Sequence, residues 1–291
     1  MSWLILGATG LLGEALMAEA RRRAIPTTGV ARSGTDIALD LADDEALRAC
    51  LESGSWDVVL NAAAIVDIQA CERDPALAYR INARAVALIA ESCRRRHRHF
   101  VQISTDHYFT GDGRLPHDEA APVRLVNEYA RSKYAGEAFA ATCPGALIVR
   151  TNFTGFRRHA GPPTFADWAF DIIEGDAPAT LFDDFYTSTM DVETLAAAVV
   201  DLVGQGTSGL INVAAREAVS KKTFIEALAA RLGRRLTRAT GAHVAELTPP
   251  RAESLGLDVS RAEALLERPL PTLDEVAEAL AHQRRELAHA V

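Results

Sequence analysis

A tyrosine and a lysine four residues apart, Tyr129-Ala-Arg-Ser-Lys133, follow a hydroxyl-bearing segment, Ser104-Thr105-Asp106. On a helix, Tyr129 and Lys133 are surface neighbours one turn apart. An ammonium beside a phenol stabilises the phenolate and lowers the phenol pKa from its ordinary value of about 10. The phenol can then act as a general acid or base nearer neutral pH, with Thr105 adding a hydroxyl donor at the same reacting oxygen. Such a set moves a proton while something else moves a hydride. Taken alone, the Tyr-x-x-x-Lys pair is usually a half-buried aromatic and a solvated lysine on an amphipathic helix. The N-terminus changes that balance.

Trp3-Leu-Ile-Leu6 is a short apolar run ending in Gly7-Ala-Thr-Gly10-Leu-Leu-Gly13, and a helical pattern over 14–23 follows at once. Strand, glycine turn and helix together let a backbone approach a pyrophosphate, with the phosphates over a helix N-terminus. Further apolar runs at 27–31, 57–61, 100–104 and 146–150 alternate with helical patterns at 43–53, 74–96 and 128–142. This alternation predicts an α/β fold of Rossmann type, a doubly wound parallel sheet with right-handed crossovers and helices on both faces. Ligands in such sheets bind beyond the carboxyl ends of the strands. Gly7, Arg32, Asn61, Thr105 and Arg150 all fall at or just past those ends.

Of 291 residues, 48% are hydrophobic and 24% charged, the balance of a soluble globular enzyme. A formal charge of −8 argues against a nucleic-acid-binding surface, which needs a basic stripe. The arginine clusters at 21–23 and 94–98 close predicted helices, where cations suit the dipole and are expected in solvent. Cys50, Cys71, Cys93 and Cys143 form no C-x-x-C pair, so no metal site or disulfide framework follows and a reducing cytoplasm is the simplest home. No run approaches the roughly 18 apolar residues of a membrane helix, so no membrane partner is expected.

These residues together resemble the extended short-chain dehydrogenase/reductase family, and within it the dTDP-4-dehydrorhamnose reductase-like sugar-nucleotide reductases. Asn61-Ala-Ala-Ala64, Ile103-Ser-Thr-Asp106, Asp118-Glu119, Gly136-Glu137 and Arg150-Thr151 carry the likeness. Further support comes from Glu72, Asn82, Pro122, Leu257-Asp258 and Ser260. The resemblance implies a catalytic triad of Thr105, Tyr129 and Lys133. It implies cofactor contacts at Gly7, Thr9, Gly10, Leu11, Leu12, Gly13, Arg32, Ala62, Ala63, Ala64 and Ser104, with Asp40-Leu41 at the adenine and Tyr129 and Lys133 at the nicotinamide end. A smaller, discontinuous C-terminal substrate-binding lobe is implied over 152–186 plus 217–291, with the NAD(P)-binding domain over 1–151 plus 187–216. Substrate contacts are implied at Asp106, His107, Asn152, Phe153, Thr187, Thr189 and Arg251, the last facing a diphosphate. The expected partners are a nucleotide-linked sugar and, in solution, a second copy in a homodimer.

Two departures stand out. Asn152-Phe153 replaces the Ser-Trp common in that subgroup, and His107 occupies the place of a dehydratase glutamate or an epimerase-reductase cysteine. Histidine titrates near neutrality, so an epimerase or epimerase-reductase using His107 is the alternative chemistry. A non-catalytic regulatory subunit is the third reading and ranks last, since Tyr129 and Lys133 are both present. For the cofactor, Val30-Ala31-Arg32-Ser33 stands where an NAD enzyme would place an acid for the ribose. An arginine beside a hydroxyl suits a 2′-phosphate, which favours NADPH. Asp36 leaves NADH open as the alternative.

Overall fold

The structure, a computed structural model, describes residues 1–159 and 161–289. One residue of the expected 152–186 segment and the last two of 217–291 therefore lie outside the described residues. The chain divides into two compact units, the first formed by Met1–Thr105, Leu125–Arg150 and Ala196–Ile211. The second is formed by Asp106–Arg124, Thr151–Leu195 and Asn212–Val291. The segments 106–124, 187–195 and 212–216, with Thr151, thus group with the second unit, where the division drawn from sequence kept them in the first.

Up to Arg150 the elements are β1 (Trp3–Leu6), α1 (Leu11–Arg22), β2 (Thr27–Ala31), β3 (Ile37–Ala38), α2 (Asp44–Ser53), β4 (Val58–Asn61), α3 (Ile68–Arg73), α4 (Pro75–Tyr79), α5 (Ala85–Arg96), β5 (His99–Ile103), α6 (Glu128–Ala140) and β6 (Leu147–Arg150). β1, β4 and β6 are buried at every position, the mark of strands covered on both faces. The seven-stranded sheet runs Gly209–Asn212, β6, β5, β4, β1, β2, β3. The pairs from β6 across to β3 are all parallel. On one face Leu4, Leu6, Val59, Phe100 and Ile148 pack against Leu47 and Leu51 of α2 and Val86, Ile89 and Cys93 of α5. Each such side chain, fully buried, contributes on the order of 1.5–3 kcal/mol. The strand order reverses between β1 and β4, the switch point where open sheets of this kind place their ligands.

Local sequence explains most boundaries, and three expectations change. The first helix begins at Leu11, not residue 14, with Gly10 as its N-cap. The expected single helix over 74–96 is α4, a π-turn at Arg80–Arg84 and then α5. That turn directs Asn82 inward, where its side chain bonds Ile65 N at 2.8 Å, Ile65 O at 3.0 Å and Ser132 Oγ at 3.0 Å. Arg98, expected in solvent with its cluster, is buried, because its guanidinium satisfies Leu51 O and Gly54 O at the end of α2.

In the second unit, helix Lys221–Arg231 packs against both Phe165–Gly175 and Leu273–His289. The strand Tyr186–Thr187 lies between Val219–Ser220, antiparallel, and Ser254–Leu255, parallel. Thr164 and Asp167 form a reciprocal capping box that starts the Phe165–Gly175 helix and so sets its aromatic first turn. Among the described residues no helix is long and apolar enough to cross a membrane. All four cysteines are free and buried.

Candidate active site

The glycine turn sits at the switch point of the first unit. Gly7 has φ +83°, which favours glycine, and a Cβ there would lie 2.7 Å from Ala63 N. The backbones after β1 and β4 therefore touch. Asn61 shapes the second of them: its side chain accepts from Ala63 N at 3.1 Å and donates to Gln102 at 2.9 Å. Ala62, Ala63 and Ala64 are left part-exposed as a wall. The first intrahelical bond of α1 runs from Glu14 N to Gly10 O, and no side chain caps the helix. Its first-turn amides, at Leu11, Leu12 and Gly13, point outward as donors beyond the glycine turn, which suits a diphosphate.

Arg32 and Ser33 are exposed just past β2. Asp36, the residue that left NADH open, has its carboxylate engaged by Gly29 N at 2.7 Å. Leu41 is buried, while Asp40 lines a surface cavity of about 610 Å³ together with Asp43, Asp44, Arg80 and Arg84. Thr9 is exposed at the tip of the turn and Ser104 is buried at the end of β5.

The triad lies wholly within the first unit. Asn127 caps α6 by accepting from Ala130 N, and Glu72 on α3 accepts from Glu128 N at 2.8 Å. That start places Tyr129 and Lys133 one turn apart, both buried. The ring of Tyr129 packs against Ile68, Cys71 and Ala78. Lys133 Nζ donates to Ile103 O at 2.8 Å, which brings the ammonium to the strand end that continues into Ser104 and Thr105. Burial pushes Lys133 down to about 8, opposed by the Glu137 carboxylate, so at neutral pH the amine is still mostly charged.

The expected substrate residues all fall in the second unit. Asn152 donates to Asp106 at 2.7 Å and accepts from Thr189 at 2.8 Å, and Thr189 meets Thr187 at 2.7 Å. Both hydroxyls bond inside the protein, so Thr189, with Thr187 behind it, helps hold Asn152 in place. Phe153 is part-exposed on a strand paired with Met190–Asp191. Of the expected residues, Arg251 alone is in the lining of a cavity of about 390 Å³, with Phe165, Trp168, Phe182, Phe185 and Lys221 among its other walls. Arg251 Nε is buried there with no hydrogen-bond partner.

Lys221 was not singled out by sequence reasoning, although it is one of only three lysines in the chain. Its Nζ lies 4.6 Å from the Phe165 ring centre and 5.7 Å from that of Phe185. Burial pushes Lys221 down to about 8, with Asp106 pulling the other way. His107 is pushed down to about 3, first by burial and then by the cations Lys221 and Arg251. Elsewhere in this unit Asp183, Asp184 and His243 bring ligand-type atoms within 4.8 Å, yet Asp184 is already bonded by His243 and Val244 N.

Comparison with known proteins assigns the family. The RmlD substrate binding domain matches residues 1–284. The chain belongs to this family. A Haloferax volcanii protein, "Probable low-salt glycan biosynthesis reductase", is 31% identical over 287 residues, 95% of this chain and 96% of that protein. The dTDP-4-dehydrorhamnose reductase of Mycobacterium tuberculosis is 34% identical over 226 residues, 74% of this chain and 70% of its own length. Among solved structures, the dTDP-4-dehydrorhamnose reductase of Bacillus anthracis in complex with NADP has a TM-score of 0.85 at 21% identity, covering 97% of this chain and 99% of that one. That likeness shows a shared fold.

Proposed function

We propose that this RmlD-family chain is an NADPH-dependent ketoreductase acting on the 4-keto group of a nucleotide-linked deoxysugar. The observation that carries the reading is Lys133: a buried ammonium one turn from Tyr129, tied to the strand end that bears Thr105. Tyr129 gives its phenol proton to the oxygen of the carbonyl being reduced. Lys133 favours the phenolate left behind, and Thr105 donates a hydrogen bond to the same oxygen. NADPH, when bound, supplies the hydride. The residues that would hold it are the Gly7–Gly13 turn with the α1 amides for the diphosphate, Arg32 and Ser33 for the 2′-phosphate, Asp40 and Leu41 for the adenine, and Ala62–Ala64 with Ser104 for the nicotinamide end. The relatives named as reductases of dTDP-linked sugars support the substrate class.

The division of labour we propose puts the cofactor in the first unit and the nucleotide-sugar in the second. The aromatic cavity there takes a base against its rings, with Arg251 and Lys221 receiving the diphosphate. Asp106, Asn152 and Phe153 shape the sugar end. An assay of NADPH oxidation against a panel of keto-sugar nucleotides tests the function directly, and free keto-sugars should be inert. Calorimetry with dTDP, UDP, GDP and CDP is expected to find at least one binder, weakened about tenfold or more by Arg251→Met. No binding by any of them, with turnover of free keto-sugars, overturns the assignment.

The epimerase reading is weaker. A general base works best with a pKa near the operating pH, and an imidazole held near 3 is a poor proton acceptor. His107 is instead a neutral group that shapes the pocket. Selection of NADPH rests on Arg32, since Asp36 is occupied with Gly29 N. Arg32→Ala should weaken NADPH by at least about 1.5 kcal/mol, the worth of a charged hydrogen bond, and leave NADH nearly unchanged. Equal losses for both cofactors would refute the assignment. The assembly we propose is a homodimer in the cytoplasm; α4 and α6 present Leu77, Tyr79, Tyr134 and Phe139 as exposed apolar surface.

A further inference from the structure

Glu137 sits one turn beyond Lys133 on α6 and is 7% exposed. Its carboxylate accepts from Arg150 Nη2 at 2.5 Å, Arg150 Nε at 3.1 Å and Ser104 Oγ at 2.8 Å. Lys133 meanwhile donates to Ile103 O at 2.8 Å. α6 thus grips the end of β5 at two consecutive residues, Ile103 through Lys133 and Ser104 through Glu137. The next residue is Thr105. None of the proton chemistry above uses this carboxylate.

A lone buried carboxylate would protonate to escape the desolvation cost. Arg150 on β6, itself 3% exposed, supplies the compensating charge, and Ser104 occupies another lone pair. The ion pair therefore lies in a place where water screens it poorly. It opposes the burial that lowers Lys133. Other titratable and charged groups on the elements packed here are Tyr129 and Glu128 on the same helix, Cys71 and Glu72 on α3 at its start, and Arg150 on β6, while the end of β5 brings the hydroxyls of Ser104 and Thr105.

We propose that Glu137 is a positioning residue of the triad: it holds the Lys133 ammonium in its charged form and, through Ser104, fixes the strand end that carries Thr105. The catalytic meaning rests on the ketoreductase reading; the electrostatic claim does not. Lys133 is charged below its pKa and loses that charge as pH rises through it. Removing the Glu137 carboxylate lowers that point, so the phenolate of Tyr129 loses its support at a lower pH.

The chain has three lysines, Lys133, Lys221 and Lys222, so carbon-13 lysine NMR can follow each one, with Lys133→Met identifying the signal. In Glu137→Gln the Lys133 titration is expected to move down by about one pH unit, and the alkaline limb of kcat should move with it. Glu137→Asp, which keeps a carboxylate, should stay near the parent in both. Because Glu137→Gln takes the carboxylate away from the buried Arg150 guanidinium and can fail to fold, the double variant Glu137→Gln/Arg150→Met removes both charges at similar volume. There the shift should be smaller, since a like charge is also gone, but in the same direction. A folded double variant with the parent Lys133 titration and pH profile overturns the proposal. A parent chain inert on every keto-sugar nucleotide sinks the reductase reading, while the lysine titration still decides the role of Glu137.

Discussion

Tyr129→Phe is expected to fold, to bind NADPH as the parent does, and to turn over its keto-sugar about 10²–10⁴-fold more slowly, the usual worth of a positioned general acid. The substitution isolates the proton. The Tyr129 ring packs against Ile68, Cys71 and Ala78, and phenylalanine fills the same volume, so the start of α6 and the reach of Lys133 to Ile103 O are preserved. Thr105 still donates its hydrogen bond, which leaves a residual rate. Single-turnover measurements separate the chemical step from cofactor release, and near-normal turnover would show that the phenol is not the donor.

Gly136→Ala sets two opposed effects against each other. In a helix interior, alanine is favoured over glycine by about 1 kcal/mol. Here a Cβ would stand 2.0 Å from Asn82 O, where heavy atoms prefer about 3.5–4.0 Å. The obstacle is backbone in the π-turn Arg80–Arg84 and cannot swing aside like a side chain. α6 must lift, which strains the bonds of Asn82 to Ile65 and Ser132. Overpacking of about 1–3 kcal/mol plus about 1 kcal/mol for each hydrogen bond weakened outweighs the propensity gain. A net loss of about 3–5 kcal/mol should appear as a lower urea midpoint, with activity falling too because Tyr129 and Lys133 ride on the same helix. A variant as stable as the parent would mean the two helices are not pressed together at this point.

What could be read from the sequence was whatever obeys local rules. Helix geometry makes Tyr129 and Lys133 neighbours wherever α6 goes, and the strand–glycine–helix run of Gly7 to Gly13 announces its turn before any other element is known. Alternating apolar runs and helical patterns likewise determine a parallel sheet and hence the end of it at which ligands bind. Boundaries were less legible: nothing local distinguishes an uninterrupted helix over 74–96 from one relaxed by a π-turn, because the turn exists to bring Asn82 to Ile65 and Ser132.

The rest depends on which elements pack together. Arg98 carries the same signature as its exposed neighbours and is buried where the end of α2 offers it two carbonyls and Trp56 a ring face. Thr187 and Thr189 look like ligand contacts, and packing alone joins their hydroxyls in a chain through Asn152 to Asp106. Lys221 becomes notable only when Phe165 and Phe185 close around its ammonium. Spacing along one helix or strand is set by the backbone and belongs to the sequence by itself. The lowered pKa values of Lys133 and His107 and the pairing of Glu137 with Arg150 were decided by tertiary structure alone, since burial and partners brought together from distant parts of the chain set the energy of a charge.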